Sequence, residues 1–266
     1  MNRTSEQNDV LIEGLARRFE LQKPAVDYMA EHFRGPVADF GCGNGIPLSY
    51  LAERHPDLFF AGVDHSADIL DRNTARHRPN VLLVKAGLED RTFPDESLGS
   101  AVFNRSLHEV YSLSGEDGLK AAVTAARDAL RPGRHVLVYE NAVPSRDRVA
   151  LRIVTDEVRD LFGRFIRDYS VRPVPWTQKT VDTVVLQEDD ALEFLTKYRD
   201  PDWESEMREV HFLYSLEEWD AVLTACGLER VAVRRFDDRQ ILALDGVEPG
   251  WEIADFKHVL VYRRPA

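Results

Sequence analysis

Between residues 37 and 140 the chain alternates short apolar runs with longer amphipathic ones. Val37-Ala38-Asp39-Phe40, Leu58 to Val63, Val81 to Val84, Leu98 to Asn104 and His135 to Glu140 read as five buried strands. Residues 46–55, 67–76 and 115–130 read as helices between them, with Pro47 tolerated in a first turn and Ser66 suited to an N-cap. Short apolar strands separated by helices predict a parallel sheet covered on both faces. Upstream, Val10, Leu11, Leu15, Phe19, Val26, Met29 and Phe33 recur at helical spacing, so residues 6–33 predict one or two amphipathic helices, stopped by Gly35-Pro36.

The pattern pauses after Glu140. From Asn141 to Tyr214 no core strand is obvious, and residues 145–169 and 188–199 read as helical. So long a stretch is more than a connection. It is extra core packing or a cap over a site. The sheet pattern then resumes: Ser215 with Glu218 forms a capping-box signature, Gly227 suits the end of that helix, and Leu228 to Phe236 and His258 to Tyr262 are further strands. No helix-length segment separates these last two, which predicts an antiparallel pair.

Composition narrows the class. The chain has 266 residues, 44% apolar and 30% charged, enough for one large domain or a domain carrying an insertion. Its 34 basic and 46 acidic side chains give a net charge of −12, the wrong sign for a general nucleic-acid binder. Two distant cysteines, Cys42 and Cys226, make neither a disulfide framework nor a common zinc spacing. The polar start MNRTSEQNDV lacks a secretory apolar stretch, and no apolar run approaches the roughly 18 residues of a membrane span. The expectation is a soluble cytoplasmic protein in a reducing compartment, with no membrane partner.

The sharpest feature is Asp39-Phe40-Gly41-Cys42-Gly43-Asn44-Gly45, at the carboxyl end of the first strand. Glycines there let the backbone turn tightly and approach a ligand. A dinucleotide fingerprint would need glycine at Ile46, and a phosphate loop would need a lysine that is missing. There is no G-x-S-x-G elbow, His108-Glu109 lacks a second zincin histidine, and no cluster demands a metal.

Val37 to Gly45 fits the pattern hydrophobic-x-Asp/Glu-x-Gly-x-Gly-x-Gly, and Asp64 ends the second strand. Phe93-Pro94-Asp95-Glu96-Ser97-Leu98, Asn104-Arg105-Ser106-Leu107-His108-Glu109 and Leu130-Arg131-Pro132-Gly133 follow in order. In these five elements the chain resembles the class I S-adenosylmethionine (SAM)-dependent methyltransferases, over most of residues 36–140 and again over 215–263. The resemblance implies a Rossmann-like α/β fold: a seven-stranded, mostly parallel sheet with helices on both faces and an antiparallel last strand. It divides the chain into an N-terminal helical lid (1–35), a SAM-binding core (36–140), a helical insertion capping the acceptor (141–214) and the rest of the core sheet (215–266).

The resemblance also implies roles. Asp39, Phe40, Gly41, Cys42 and Gly43 hold the methionine end, Asp39 reaching the amino group. Asp64 accepts from the ribose hydroxyls, and His65 packs beside the adenine. Asn104 and Arg105 lie beneath the sulfonium. The family often has an aspartate where this chain has Gly87, so at this cofactor-binding turn the adenine is read by the backbone at Leu88 and by Glu89 or Asp90. Tyr28 and Arg17 or Arg18 of the lid are further contacts.

An oxygen or carbon nucleophile benefits from a base near neutral pH. His108 is the first choice by its ordinary pKa, Glu140 the second, with Glu109, Tyr111 and Asn141 nearby. Tyr169, Trp176, Tyr198, Trp203, Phe212 and Tyr214 are expected chiefly in a core, with His211 a lesser acceptor-pocket candidate. Glu188-Asp189-Asp190 reads as the start of a solvated helix. The leading expectation is methyl transfer to a small molecule, with no nucleic-acid partner. Two others stand beside it: a SAM-using enzyme that cyclises SAM or assists a rearrangement, and a non-catalytic SAM-binding partner subunit.

Overall fold

The computed structural model describes residues 19–237 and 239–266. The first described element, α1 (residues 19–31), turns Phe19, Val26 and Met29 inward at helical spacing. The glycine loop separates β1 (Val37–Phe40) from α2 (Ile46–Arg54). Then come β2 (Phe60–Asp64), α3 (Ala67–Asp71), β3 (Val81–Lys85), β4 (Leu98–Asn104), α4 (Leu107–Ala129) and β5 (Leu130–Asn141). Ser66 caps α3, its Oγ accepting the Ile69 N–H. α4 starts eight residues before the sequence predicts and kinks at Gly115, whose φ is 68°.

β1 pairs in parallel with both β2 and β4, so the chain winds outward in two directions from β1. The strand order is β3-β2-β1-β4-β5, then β11 (Lys257–Arg263) and β9 (Glu229–Phe236), both antiparallel to their neighbours. This is the expected seven-stranded sheet. Every residue of β1 and β2 is buried, because helices cover both faces. α4 and α8 (Leu216–Ala225) pack one face around Phe103, Val136 and Trp219. α1 and α2 pack the other around Leu48, Phe60 and Val261. The capping box of α8 forms as predicted, Ser215 and Glu218 bonding to each other's backbone. The outer edge strand β9 carries Arg230, Arg234 and Arg235, charges that discourage edge-to-edge pairing.

The insertion differs from the all-helical expectation. Residues 145–155 do not form a helix: β6 (Arg148–Ile153) is a strand, whose Val149, Leu151 and Ile153 face inward between exposed or half-buried neighbours. With β7 (Trp176–Gln178), β8 (Thr183–Gln187) and β10 (Val247–Pro249) it builds a second, antiparallel sheet, β10-β6-β8-β7. β10 comes from the segment between the last two core strands, so the C-terminal part contributes to the insertion's sheet. Three helices complete this unit: α5 (Asp156–Asp168), α6 (Glu188–Lys197) and α7 (Trp203–Glu206). Tyr169, Tyr198, Trp203 and Phe212 form its core, Tyr214 packs against the main core, and Trp176 lies on the exposed strand β7.

Glu188-Asp189-Asp190 is also not the solvated face expected. All three are buried. Arg172 pairs with Asp189 and Asp190, and Glu188 accepts from Ser145 Oγ at 2.6 Å and Trp251 Nε1 at 2.8 Å. Paired burial replaces hydration here. Cys42 and Cys226 are free and buried, and no helix among the described residues is long and apolar enough to cross a membrane.

The glycine loop makes the most demanding local fit. Gly45 has φ 73°, and a Cβ there would lie 1.9 Å from Asn73 Oδ1. Gly43 is also left-handed, but a Cβ on it would meet nothing. Gly45→Ala is therefore expected to add a steric clash to the ~1–2 kcal/mol of left-handed strain, whereas Gly43→Ala carries the strain alone. Thermal melts of the two variants should show Gly45→Ala lower by several degrees; equal midpoints would contradict this packing.

Candidate active site

A cleft of ≈ 290 Å³ opens where β1 and β4 diverge. That is where open α/β sheets bind ligands, outside the carboxyl ends of the strands at the reversal of strand order. Gly41, Cys42, Gly43 and Asn44 form one wall; Asn104, Arg105 and His108 form another. The loop is held from three sides. Gly41 and Cys42 donate to the Val63 carbonyl at 2.8 and 3.0 Å. Asn73 Nδ2 donates to the Gly43 carbonyl at 2.8 Å, and Ser106 Oγ donates to the Phe40 carbonyl at 2.6 Å. Gly41 sits so close to Ser106 that a Cβ would approach it to 2.4 Å.

Two carboxylates flank this loop. Asp39 is buried and its Oδ1 has no hydrogen-bond partner. Burial, and then the charge of Asp64, push its pKa up to about 7. A buried orphan acceptor beside a ligand loop suits a cationic group. Asp64 is also buried; its Oδ2 accepts the Gly43 N–H at 3.1 Å and its Oδ1 the Ser66 N–H at 2.9 Å. Each oxygen keeps a further lone pair, the capacity that two ribose hydroxyls need. Asn104 Oδ1 and Arg105 Nε are buried orphans as well, and Arg105 holds a left-handed φ of 59°. These features fit the nucleoside and amino-acid ends of SAM.

The far end of the cleft is built differently. His108, Glu109, Glu206, Glu209 and His211 line it. His108 Nδ1 lies 2.7 Å from Glu140 Oε2, and Glu140 Oε1 accepts the Leu107 N–H at 3.0 Å. Burial works against the charge on each partner, but their mutual attraction and hydrogen bond prevail. They hold His108 above the ordinary imidazole range and Glu140 below the ordinary carboxylate range. His211 is the reverse case: burial, then the positive charge of Lys197, drives it well below the usual value.

The segment carrying these residues is anchored from the insertion. Buried Lys197 donates to the carbonyls of Glu206 and Glu209 at 2.8 and 2.9 Å. Glu193 Oε1 accepts the N–H groups of His211 and Phe212 at 2.8 and 2.7 Å. From the main sheet, Asn141 Nδ2 donates to the His211 carbonyl at 2.9 Å, and Ser112 Oγ accepts the Val210 N–H at 3.0 Å.

Asp39, Gly41, Cys42, Gly43, Asn104, Arg105 and His108 thus share one cleft, with Asp64 joined through Gly43 and Glu140 behind His108. Other expected contacts lie elsewhere. The Phe40 ring is in the core, stacked on Phe103, leaving only its backbone at the loop. His65 is exposed, its Nδ1 3.7 Å from Asp64 Oδ1. The Gly87 N–H is taken by Asp90 Oδ2 at 2.8 Å, and Leu88 is buried next to Gly41. Glu89 accepts from Ser114 Oγ and lines a separate groove with Asp117 and Lys120, so its side chain is not brought to the cleft. Tyr28 packs on His32 and Phe236; Phe19 and Gln22 are the α1 residues at the cleft. Arg17 and Arg18 lie outside the described residues. Tyr111 packs edge-on against Tyr214. Burial, then Asp39, keeps the Cys42 thiol protonated. Glu206 and Glu209 carry no sequence signal, since nothing in their neighbourhood relates them to His108.

Comparison with known proteins supports this geometry. Residues 37–133 match the family described as "Methyltransferase domain". No curated protein sequence matches the chain. Among solved structures, the chain is similar to an S-adenosylmethionine-dependent methyltransferase from Mesorhizobium loti (TM-score 0.56, 17% identity, covering 92% of this chain and 98% of that one). It is also similar to the Burkholderia thailandensis 1,6-didemethyltoxoflavin-N1-methyltransferase, solved with 1,6-didemethyltoxoflavin and S-adenosylhomocysteine (0.56, 13%, 100% and 92%). A third is the [4+2]-cyclase SpnF (0.55, 14%, 91% and 80%). At such identities these neighbours establish the fold. The glycine loop and the acidic ends of β1 and β2 all lie within residues 37–133, the part of the chain that matches the methyltransferase domain.

Proposed function

We propose that the protein moves the methyl group of SAM to an oxygen, nitrogen or carbon nucleophile of a small molecule. The observation that carries this is the continuity of one cleft. Its glycine-loop end fits SAM and its His108–His211 end offers polar groups to an acceptor. Bound, SAM supplies a methyl group on a positively charged sulfur, ready for in-line displacement.

The chain's own residues do the rest. Asp39 holds the ammonium group and Asp64 the ribose hydroxyls. The peptide at Arg105, fixed in a left-handed conformation, and the Asn104 side chain shape the wall where cofactor and acceptor meet. The His108–Glu140 pair engages the acceptor's nucleophilic group with an imidazole that cannot turn, because Glu140 is itself held by the Leu107 N–H. Alignment of this kind supplies most of the rate in a displacement whose leaving group is already activated. The net charge of −12 and the acidic far end favour a small acceptor over a nucleic acid. The likeness to a [4+2]-cyclase makes a non-methylating reaction the second reading.

Product identity separates these readings. Turnover with SAM and small-molecule extracts, followed by mass spectrometry, is expected to release S-adenosylhomocysteine. Methylthioadenosine, or acceptor conversion with SAM left intact, would overturn methyl transfer. Asp64→Ala is expected to weaken SAM binding at least about tenfold, or ~1.4 kcal/mol, by calorimetry. Unchanged affinity would remove Asp64 from the ribose site.

Asp39 gives a pH prediction of definite sign. Between about pH 4 and 7 the unfolded chain ionises this carboxyl while the folded chain keeps it protonated. Stability without ligand therefore falls as pH rises through that window. SAM affinity moves the opposite way, since the ammonium group needs the carboxylate. It should rise by up to about tenfold per pH unit below 7 and then level off. Calorimetric titrations across this range check the slope, and Asp39→Asn should flatten it.

A further inference from the structure

The acceptor end of the cleft brings together groups from distant parts of the chain. The ligand atoms of His108, Glu209 and His211 all lie within 4.8 Å of one another. Each residue is oriented from behind. Glu140 Oε2 lies 2.7 Å from His108 Nδ1, Thr196 Oγ1 lies 3.1 Å from His211 Nδ1, and Ser205 Oγ donates to Glu209 Oε1 at 2.7 Å. Both imidazoles are thus engaged at Nδ1. Holding the far nitrogen and leaving Nε2 for the ion is the usual second-layer arrangement around metal-bound histidines.

His211 carries a second sign. The Thr196 hydroxyl donates to the Glu193 carbonyl at 3.1 Å, so it accepts from His211 Nδ1–H. That leaves a lone pair on His211 Nε2, which lies 3.2 Å from Glu206 Oε2. Two acceptors this close need a cation or a proton between them. Charge balance points the same way. Glu109, Glu140, Glu193, Glu206 and Glu209 gather around three cations, Lys197, Lys257 and Arg105. The segment bearing the ligands is already fixed by Lys197 and Glu193, so little ordering is left for an ion to impose.

We propose that His108 Nε2, His211 Nε2 and a Glu209 oxygen bind one divalent first-row transition ion, with Glu206 beside it. Two imidazoles and a carboxylate suit Mn²⁺, Fe²⁺ or Zn²⁺; Mg²⁺ and Ca²⁺ take sets made of oxygen. The positions left open face the cleft and take oxygen donors of the acceptor, a clause that rests on the methyl-transfer reading. His108 is then a ligand held by Glu140 that meets the acceptor through the ion, in place of the direct contact described above and of the proton-accepting role expected from sequence.

The test is calorimetric titration of chelator-stripped full-length protein with Mn²⁺ and with Zn²⁺. One equivalent is expected, and His211→Ala and Glu209→Gln should each weaken binding by at least about tenfold while SAM affinity stays unchanged. Glu140→Gln should weaken it by a similar factor without touching a ligand atom. Co²⁺-loaded protein should show visible absorption bands that shift in His211→Ala. If that variant does not fold, Glu209→Gln, at a less buried position, carries the test. Wild-type protein that binds no stoichiometric ion, or variants that bind like wild type, would overturn the site. A bound equivalent in a protein that yields no S-adenosylhomocysteine would leave the ion standing and remove the methyl-transfer reading.

Discussion

The backbone that leaves β1 runs through left-handed glycines, and it stays there because side chains from later parts of the chain grip it. Asp64 at the end of β2 takes the Gly43 N–H, Asn73 after α3 binds the Gly43 carbonyl, and Ser106 after β4 binds the Phe40 carbonyl. None of these contacts can form until the parallel strands have been brought side by side. Once formed, they fix the cleft wall, place Asp39 where it is buried without a partner, and start α2 from Gly45. The cofactor end is thus a consequence of sheet assembly, and glycine at positions 41, 43 and 45 lets the backbone hold positive φ without a Cβ penalty.

The far end of the cleft depends on a second unit. The insertion has its own sheet and core, and it reaches the cleft through the stretch from Glu206 to His211. Lys197 and Glu193 hold that stretch from the insertion, while Asn141 and Ser112 hold it from the main sheet. A buried lysine and glutamate are costly unless their hydrogen bonds are met. Here they bond to the backbone of the segment that must be placed, so their burial serves position. His108 belongs to the core and Glu209 and His211 to this segment, which makes the far end of the cleft a junction between two folding units.

Much of the core could be read from residue patterns. Ser66 and the Ser215–Glu218 box are local signals with a local physical cause, and the structure forms both. The insertion was less legible. Val149, Leu151 and Ile153 alternate as a strand should, but β6 is only six residues long and the helical α5 follows it closely. Glu188, Asp189 and Asp190 look like a wet helix start because sequence gives no sight of Arg172 folding back on them. Sequence also gives no sight of Ser114 on α4, whose hydroxyl donates to Glu89.

By itself the sequence determined the parallel core, the glycine turn, the acidic ends of β1 and β2, and through them the class of cofactor. Those features repeat at short range, and their physical causes are periodicity, capping and left-handed backbone. Tertiary structure alone decided that His108 would meet Glu140, Glu209 and His211 in one cleft. Those partners are separated along the chain by a strand, a second sheet and several helices. Only the packing of the insertion against the core, through buried polar anchors, sets the distances between them.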